Sequence, residues 1–101
     1  MDAFSALADP TRRRIVEILA RGALPAGRIA GAFDSARPTI SRHLRVLREA
    51  GLVRVSAVAQ ERRYELQGPE LAKAEGWLAR HRRFWEQHLN ALQRHLENEH
   101  E

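Results

Sequence analysis

The apolar residues of this chain change their spacing twice, and the order of those changes limits the fold more than any other feature. Up to residue 50 they recur every three or four positions, as on one face of a helix. Over residues 52–66 they alternate, as Val53 and Val55 do, which is typical of half-buried strands. After Pro69 the helical spacing returns. The sequence therefore predicts a mainly α fold in which helices are followed by a small β-hairpin and a closing helix.

Four helices are predicted before the hairpin. Asp9 followed by Pro10 is a helix start signal, because aspartate caps the N-terminus and proline needs no hydrogen-bonded N–H in the first turn. Asp34 and Ser35 offer the same capping chemistry before the fourth helix. The predicted helices cover about 2–8, 10–21, 25–33 and 36–50.

The closing helix, predicted over about 69–98, carries more apolar surface than one small core can cover. Its apolar residues fall within a stripe roughly 60° wide when each residue turns about 100°. Gly76 leaves open whether this helix is one continuous rod. The stripe favours burial against a second copy in a symmetric dimer, through Leu78, Trp85, Leu89, Leu92 and Leu96.

Positive charge is concentrated in the first part of a chain whose 101 residues suit a single domain over 1–101. Residues 1–63 hold 12 basic and 6 acidic side chains (+6), whereas residues 64–101 hold 5 and 7 (−2). Every basic residue except Lys73 is an arginine, which suits phosphates and guanine edges, although a genome rich in G and C would give the same bias. The distribution points to a polyanionic partner.

Several classes of protein are excluded by what the sequence lacks. Without cysteine there is no disulfide, thiolate metal site or cysteine nucleophile. No apolar run approaches the roughly 18 residues that span a bilayer, and the N-terminus lacks the order of a signal peptide, so we expect a cytoplasmic protein without membrane contact. No serine or histidine lies in a glycine-rich elbow, a phosphate-binding loop or a His-Glu metal motif, so we expect no enzyme activity and no cofactor.

The stretch RPTISRHLRVLREAGLV at residues 37–53 is apolar on one side and basic on the other. Its apolar side is Ile40, Leu44 and Leu47. The opposite arc of about 140° holds Arg37, Ser41, Arg42, Arg45 and Arg48, with Glu49 as its only acidic residue. After a short helix and a sharp turn, it fits the second helix of a helix-turn-helix, which enters the major groove of DNA. The hairpin at about 52–66 would be the wing, whose Arg62 and Arg63 would reach the flanking backbone or minor groove. A solvated basic face without a partner is the alternative.

Three segments closely resemble the ArsR/SmtB winged-helix transcriptional repressors of bacteria, namely ALADPTRRRIVEILARG at 6–22, PTISRHLRVLREAGLVRV at 38–55 and RRYEL at 62–66. Residues 77–96 resemble the metal-independent branch that includes SdpR-type repressors. The resemblance implies a homodimer built on the first and last helices, with Phe4 and Leu7 in the interface. It also implies that the dimer represses transcription from an imperfect palindrome, often in its own operon.

The resemblance to this family also implies which residues contact DNA. They are Ser35, Arg37, Thr39, Ser41, Arg42, Arg45, Arg62 and Arg63. The wing tip AVAQE departs from the family's usual glycine-containing turn.

A metal-responsive repressor is one alternative, because His81, His88 and His95 repeat every seven residues along one edge of the stripe. Neighbouring histidines lie about 10.5 Å apart on one helix, too far to share a metal within a chain. A zinc or nickel site would therefore have to form between two copies, with Glu86 or Glu97 completing the ligands. The Asp-x-His and His-x-x-Glu spacings of the family's metal sensors are absent.

Two further alternatives concern other partners. Trp77 and Phe84 lie on the same side as the histidines and could line a pocket for a small apolar inducer, although aromatic anchors of a dimer core are commoner. The chain could also be a winged-helix module that binds another protein. Weak, sequence-blind DNA binding together with a tight protein partner would identify such a module.

Overall fold

Six helices and three strands succeed one another in the computed structural model, which describes residues 2–99 apart from the side chains of Trp85 and Glu99. In chain order they are α1 (Ala3–Ala6), α2 (Pro10–Leu19), β1 (Leu24–Pro25), α3 (Ala26–Ala30), α4 (Arg37–Glu49), β2 (Val53–Val58), β3 (Glu61–Leu66), α5 (Gly68–Arg80) and α6 (Arg82–Glu99). The predicted mainly α class with a β-hairpin is confirmed. Contacts within the structure group the chain into two compact units, Met1–Leu71 and Ala72–Glu101. The single domain over residues 1–101 stays a prediction.

Aspartate side chains cap the first two helices. Asp2 Oδ1 accepts the backbone N–H of Ser5 at 2.8 Å, and Asp9 Oδ1 accepts that of Arg12 at 3.0 Å. The pKa of each of these carboxyl groups is lowered, chiefly because the ionised oxygen accepts this backbone hydrogen bond. The start of α2 at Asp9 and Pro10 is therefore as predicted.

The start of α4 differs from the prediction. Asp34 and Ser35 were expected to supply the cap, but the N-cap is Ala36, and no side chain bonds to the first-turn amides. Pro38 lies in the first turn of the helix, where its fixed φ favours helix initiation. The position of this proline places the start of α4 two residues beyond Ser35.

Helix α4 ends in a Schellman motif. Gly51 N–H donates to the carbonyl oxygen of Arg48, and Leu52 N–H donates to that of Leu47, both at 3.0 Å. Gly51 has a φ of 77°, and a Cβ added there would lie 2.9 Å from Cγ of Glu70. Both conformation and space therefore favour glycine at this position.

The two longer strands form the predicted hairpin, and a third, short strand joins them. β2 and β3 pair antiparallel over their full lengths, and β1 pairs with β3 with Leu24 opposite Tyr64, so the strand order is β1-β3-β2. β1 was not predicted, because two residues are too few to show an alternating pattern.

A two-residue turn, Ala59 and Gln60, closes the wing between the paired residues Val58 and Glu61. Ala59 has a φ of 58°, and within residues 2–99 no other residue except glycine has a positive φ. The wing tip thus makes a tight turn without the glycine that such turns usually use.

The core of the first unit is built from α2, α3, α4 and the start of the hairpin. Its largest fully buried side chains are Ile15, Ile29, Ile40, Leu44, Leu47 and Leu52. Three of these six belong to α4, so this helix is held in one rotational position about its axis.

The predicted closing helix is divided at His81 into α5 and α6, and the break does not lie at Gly76. His81 N–H lies 3.2 Å from the carbonyl oxygens of both Trp77 and Leu78, a shared bond common at helix ends. Its ring Nδ1 lies 2.7 Å from the Trp77 carbonyl oxygen and gives that acceptor a second partner. Within residues 2–99, no helix is both long enough and apolar enough to cross a membrane.

Candidate nucleic-acid interface

The outward side of α4 is basic because its apolar side is fully buried. Ile40, Leu44 and Leu47 are each at most 1% exposed. Since successive residues of a helix turn by about 100°, burying this side directs the others to solvent. The exposed residues on the outward side are Arg37, Ser41, Arg42, Arg45, Arg48 and one acidic residue, Glu49.

The N-terminal end of α4 has no side-chain cap, and the exposed Ser35 makes no hydrogen bond within residues 2–99. Few of its amides are free, because Pro38 has no N–H and Thr39 N–H donates to the carbonyl oxygen of Ala36 at 3.0 Å. An uncapped helix N-terminus carries partial positive charge. Thr39 is half-buried in the first turn, and Nη2 of Arg37 reaches back towards α3, 3.7 Å from the position that a Cβ would take on Gly27.

Arg45 and Glu49 form an ion pair along the outward side of α4, with Nε and Oε1 3.2 Å apart. Their side chains are 77% and 57% exposed, so the pair adds little stability and can be exchanged for another partner. Arg42 and Arg48 form no ion pair with any residue of the described part of the chain. This surface therefore presents guanidinium groups that an anion can reach.

The two predicted wing arginines lie on opposite faces of the hairpin. Side chains alternate along a strand, so Arg62 shares a face with the half-buried Tyr64, whereas Arg63 shares the other face with Glu61. Arg63 Nε lies 3.0 Å from Glu61 Oε1, while Arg62 forms no ion pair within residues 2–99. The structure thus separates two residues that the sequence places side by side.

Two other arginines of the basic region have structural roles that sequence reasoning missed. Arg12 donates from Nε to the carbonyl oxygen of Ala6 at 2.6 Å and from Nη2 to that of Ser5 at 3.4 Å. Arg13 Nη1 donates to the carbonyls of the two residues after α1, at 2.9 and 3.2 Å. Both guanidinium groups thus satisfy carbonyls at the C-terminal end of α1.

Arg12 also ties α2 to α4, because its Nη1 lies 3.3 Å from Nδ1 of His43. A guanidinium can only donate, so Nδ1 accepts and the His43 ring carries its proton on Nε2 in this contact. The two residues are 31 positions apart, and no local sequence pattern indicates such a pair.

The histidines of the closing segment stack on aromatic rings. The His81 ring lies 4.2 Å from the Trp77 ring, and the His88 ring lies 5.8 Å from the Phe84 ring, centroid to centroid. Among the described residues there is no group of three or more His, Asp or Glu side chains placed to hold a metal ion. A metal site shared by two copies, through His81, His88 or His95, stays an untested alternative to the prediction of no metal.

The residues predicted for a dimer interface are largely exposed in the single chain. Phe4, Leu78, Leu89, Leu92 and Leu96 are between 44% and 59% exposed, and Leu7 is half-buried. The side chain of Trp85 lies outside the described part of the structure. Leu89, Leu92 and Leu96 recur at helical spacing and form one apolar face of α6.

Comparison with known proteins identifies relatives that match most of the chain. The family model of a helix-turn-helix domain matches residues 7–56. The HTH-type transcriptional regulator Rv2034 of Mycobacterium tuberculosis is 39% identical over 97 residues, which are 96% of this chain and 88% of that protein. The transcriptional repressor SdpR of Bacillus subtilis is 36% identical over 75 residues, 74% of this chain and 83% of that protein.

Solved structures share the fold. An ArsR-like transcriptional regulator from Rhodococcus sp. RHA1 matches with a TM-score of 0.71 and 36% identity, covering 88% of this chain and 84% of that one. The homodimeric winged helix-turn-helix DNA-binding domain Mb0332 of Mycobacterium bovis matches with a TM-score of 0.63 and 28% identity. The match covers 74% of this chain and 69% of that one.

Proposed function

This chain belongs to the ArsR/SmtB family of winged helix-turn-helix transcriptional regulators, and from that premise we propose that it is a homodimeric repressor of the SdpR-like branch. Its target would be an imperfect palindrome in double-stranded DNA, including the region upstream of its own gene. Metal binding would not be needed for repression.

The observation that carries this proposal is the outward side of α4. Three fully buried residues hold the helix in place, and the opposite side presents guanidinium groups to solvent. A recognition helix needs this combination, because affinity comes from phosphate contacts whereas specificity requires side chains held in a fixed register against base edges.

The proposed contacts divide into two kinds. Ser41, Arg42 and Arg45 lie on the outward side of α4 and would read base edges in the major groove. The residues proposed to hold the phosphate backbone or the minor groove lie at the start of α4 and on the wing, and are Ser35, Arg37, Thr39, Arg62 and Arg63.

The palindrome follows from the proposed dimer. A two-fold symmetric dimer presents two copies of α4, so its half-sites are inverted repeats about one helical turn apart. The residues proposed to pair with a second copy are those of the exposed apolar face of α6 and, in the first unit, Phe4 and Leu7. The homodimeric relative Mb0332 supports this assembly.

Fluorescence anisotropy tests the proposal, using the chain's own upstream DNA and a scrambled duplex of equal length at about 150 mM salt. We expect a preference of about a thousandfold or more for the upstream duplex, unchanged by zinc. Equal affinity for both duplexes would contradict autorepression. A change of operator affinity on adding zinc would favour the metal-responsive alternative.

Arg42→Ala separates base reading from general attraction. We expect it to lower the preference for upstream DNA by roughly 1–3 kcal/mol if Arg42 pairs with a guanine. Arg62→Ala should instead lower the affinity for the upstream and the scrambled duplex by the same factor. Identical losses for both duplexes in Arg42→Ala would remove its proposed role.

A further inference from the structure

A groove of about 650 Å³ lies between the C-terminal half of α4 and strand β2. The charged side chains that line it are three arginines and one glutamate, Arg45, Arg48, Arg54 and Glu49. Its other lining residues are Gly51, Val53, Val55 and Gln67. The groove is thus positively charged, and it joins the proposed recognition helix to the wing.

The arginines of this groove are available to a new partner. Arg48 forms no ion pair within residues 2–99, and Arg45 is held only by the exposed Glu49. Arg54 pairs with Glu65 across the hairpin, where its own side chain is 60% exposed and that of Glu65 is 29% exposed. The exposed Arg45–Glu49 pair stabilises the protein little and can be exchanged at small cost, whereas a phosphate at Arg54 has to replace a half-buried carboxylate.

The position of the groove indicates which anion it receives. If Ser41, Arg42 and Arg45 read base edges, the last turn of α4, which holds Arg48, extends towards the edge of the major groove, where a DNA strand passes. The next element at that end of α4 is β2, the first strand of the wing. A phosphate strand running from the major groove towards the wing would therefore cross this groove.

We propose that this groove binds the sugar-phosphate backbone of one DNA strand through Arg48 and Arg54. The inference rests on the proposed DNA-binding function and adds two phosphate-binding residues to it. Arg54 exchanges Glu65 for a phosphate oxygen, while Arg48 binds the strand without giving up an ion pair. Both arginines bind without regard to sequence and set the register of the recognition helix on the duplex.

The salt dependence of DNA binding tests this proposal. In Arg48→Ala and Arg54→Ala, the slope of log affinity against log salt should become shallower by roughly 0.9 for each phosphate that is no longer neutralised, and by about twice that in a dimer. Arg48→Lys and Arg54→Lys keep the charge and should keep most of the slope. Glu65→Gln removes the competing carboxylate and should strengthen binding to upstream and scrambled DNA alike.

Arg21→Ala is the matched control, because it removes the same charge from an exposed position just beyond α2. Its slope should equal that of the wild type. Unchanged slopes in both groove variants, in a protein that still prefers upstream DNA, would overturn the proposed role of the groove and leave the proposed function intact. A wild type that binds neither duplex even at low salt would overturn both.

Discussion

Ala59 concentrates the backbone strain of the wing in a single residue. Its φ of 58° lies in the left-handed region, where the Cβ of an L-residue approaches the following carbonyl oxygen. This conformation costs about 1 kcal/mol or more for alanine, whereas glycine adopts it freely. The strained residue lies at the tip of the element proposed to contact DNA beside the recognition helix.

Ala59→Gly should stabilise the protein by roughly 0.5–1 kcal/mol, because relief of the strain exceeds the entropy that glycine adds to the unfolded chain. Urea unfolding followed by circular dichroism measures the change. Gln60→Gly is the control, since its φ is not positive and the substitution should destabilise by a similar amount. If both variants lose the same stability, Ala59 is not strained.

Single residues were predicted well only where local patterns determine them. The buried and exposed sides of α4 follow from the spacing of Ile40, Leu44 and Leu47. The roles of Arg12 and His43 did not follow, because their contact depends on how α2 packs against α4. The position of Arg54 at the groove beside α4 was missed for the same reason, because it depends on how β2 lies against α4.

The starts and ends of the elements depend on a few terminal residues. Asp9 supplies the hydrogen bond that begins α2, and Gly51 supplies the left-handed residue that ends α4. The predicted cap of α4 was wrong because Pro38 sets the start of the helix later in the chain. The break at His81 was also missed, since it depends on hydrogen bonds to carbonyls one turn earlier.

The Asp9 cap makes the stability of α2 dependent on pH. The pKa of Asp9 is lowered from its ordinary value of 3.8, first by the hydrogen bond from Arg12 N–H. The ionised carboxylate therefore stabilises the folded protein above pH 3.8, and this stabilisation is lost as the pH falls below that value. Asp9→Ala should cost about 1 kcal/mol at pH 7, and Asp9→Asn should cost less because it keeps an acceptor.

Urea unfolding at pH 7 and pH 3 checks this expectation. The difference between wild type and Asp9→Ala should shrink at pH 3, where the carboxylate of the wild type is increasingly protonated. A difference that stays constant between the two pH values would show that the charged form does not provide the cap.

At the scale of the whole molecule, the exposed apolar face of α6 is the main feature that a single chain leaves unexplained. Leu89, Leu92 and Leu96 are each at least half exposed, although they form a continuous stripe. Their spacing was predicted, because a strongly periodic helix is clear in the sequence. The division of the chain into two units was not, since it depends on which residues contact one another over long distances.

Leu92→Glu tests whether this face forms the dimer. Burying an unpaired carboxylate in the interface should weaken dimerisation by more than about 2 kcal/mol, or roughly 30-fold. Sedimentation equilibrium measures the change, and DNA affinity should fall with it. Gln87→Glu places the same charge on the opposite side of α6 and should leave the dimer intact. Equal effects of the two variants would point to another interface.

The two-residue turn of the wing has a consequence for how such a protein diverges. Tyr64 and Leu66 fix the base of the hairpin, so an insertion or deletion is absorbed at the tip. Opposed pairs alternate between hydrogen-bonded and non-hydrogen-bonded, so loss of one residue from each strand would place the turn on a pair of the wrong kind. Loss of two residues from each strand would preserve both the turn and the alternation of faces along the strands. Descendants of this gene should therefore vary in wing length in steps of four residues.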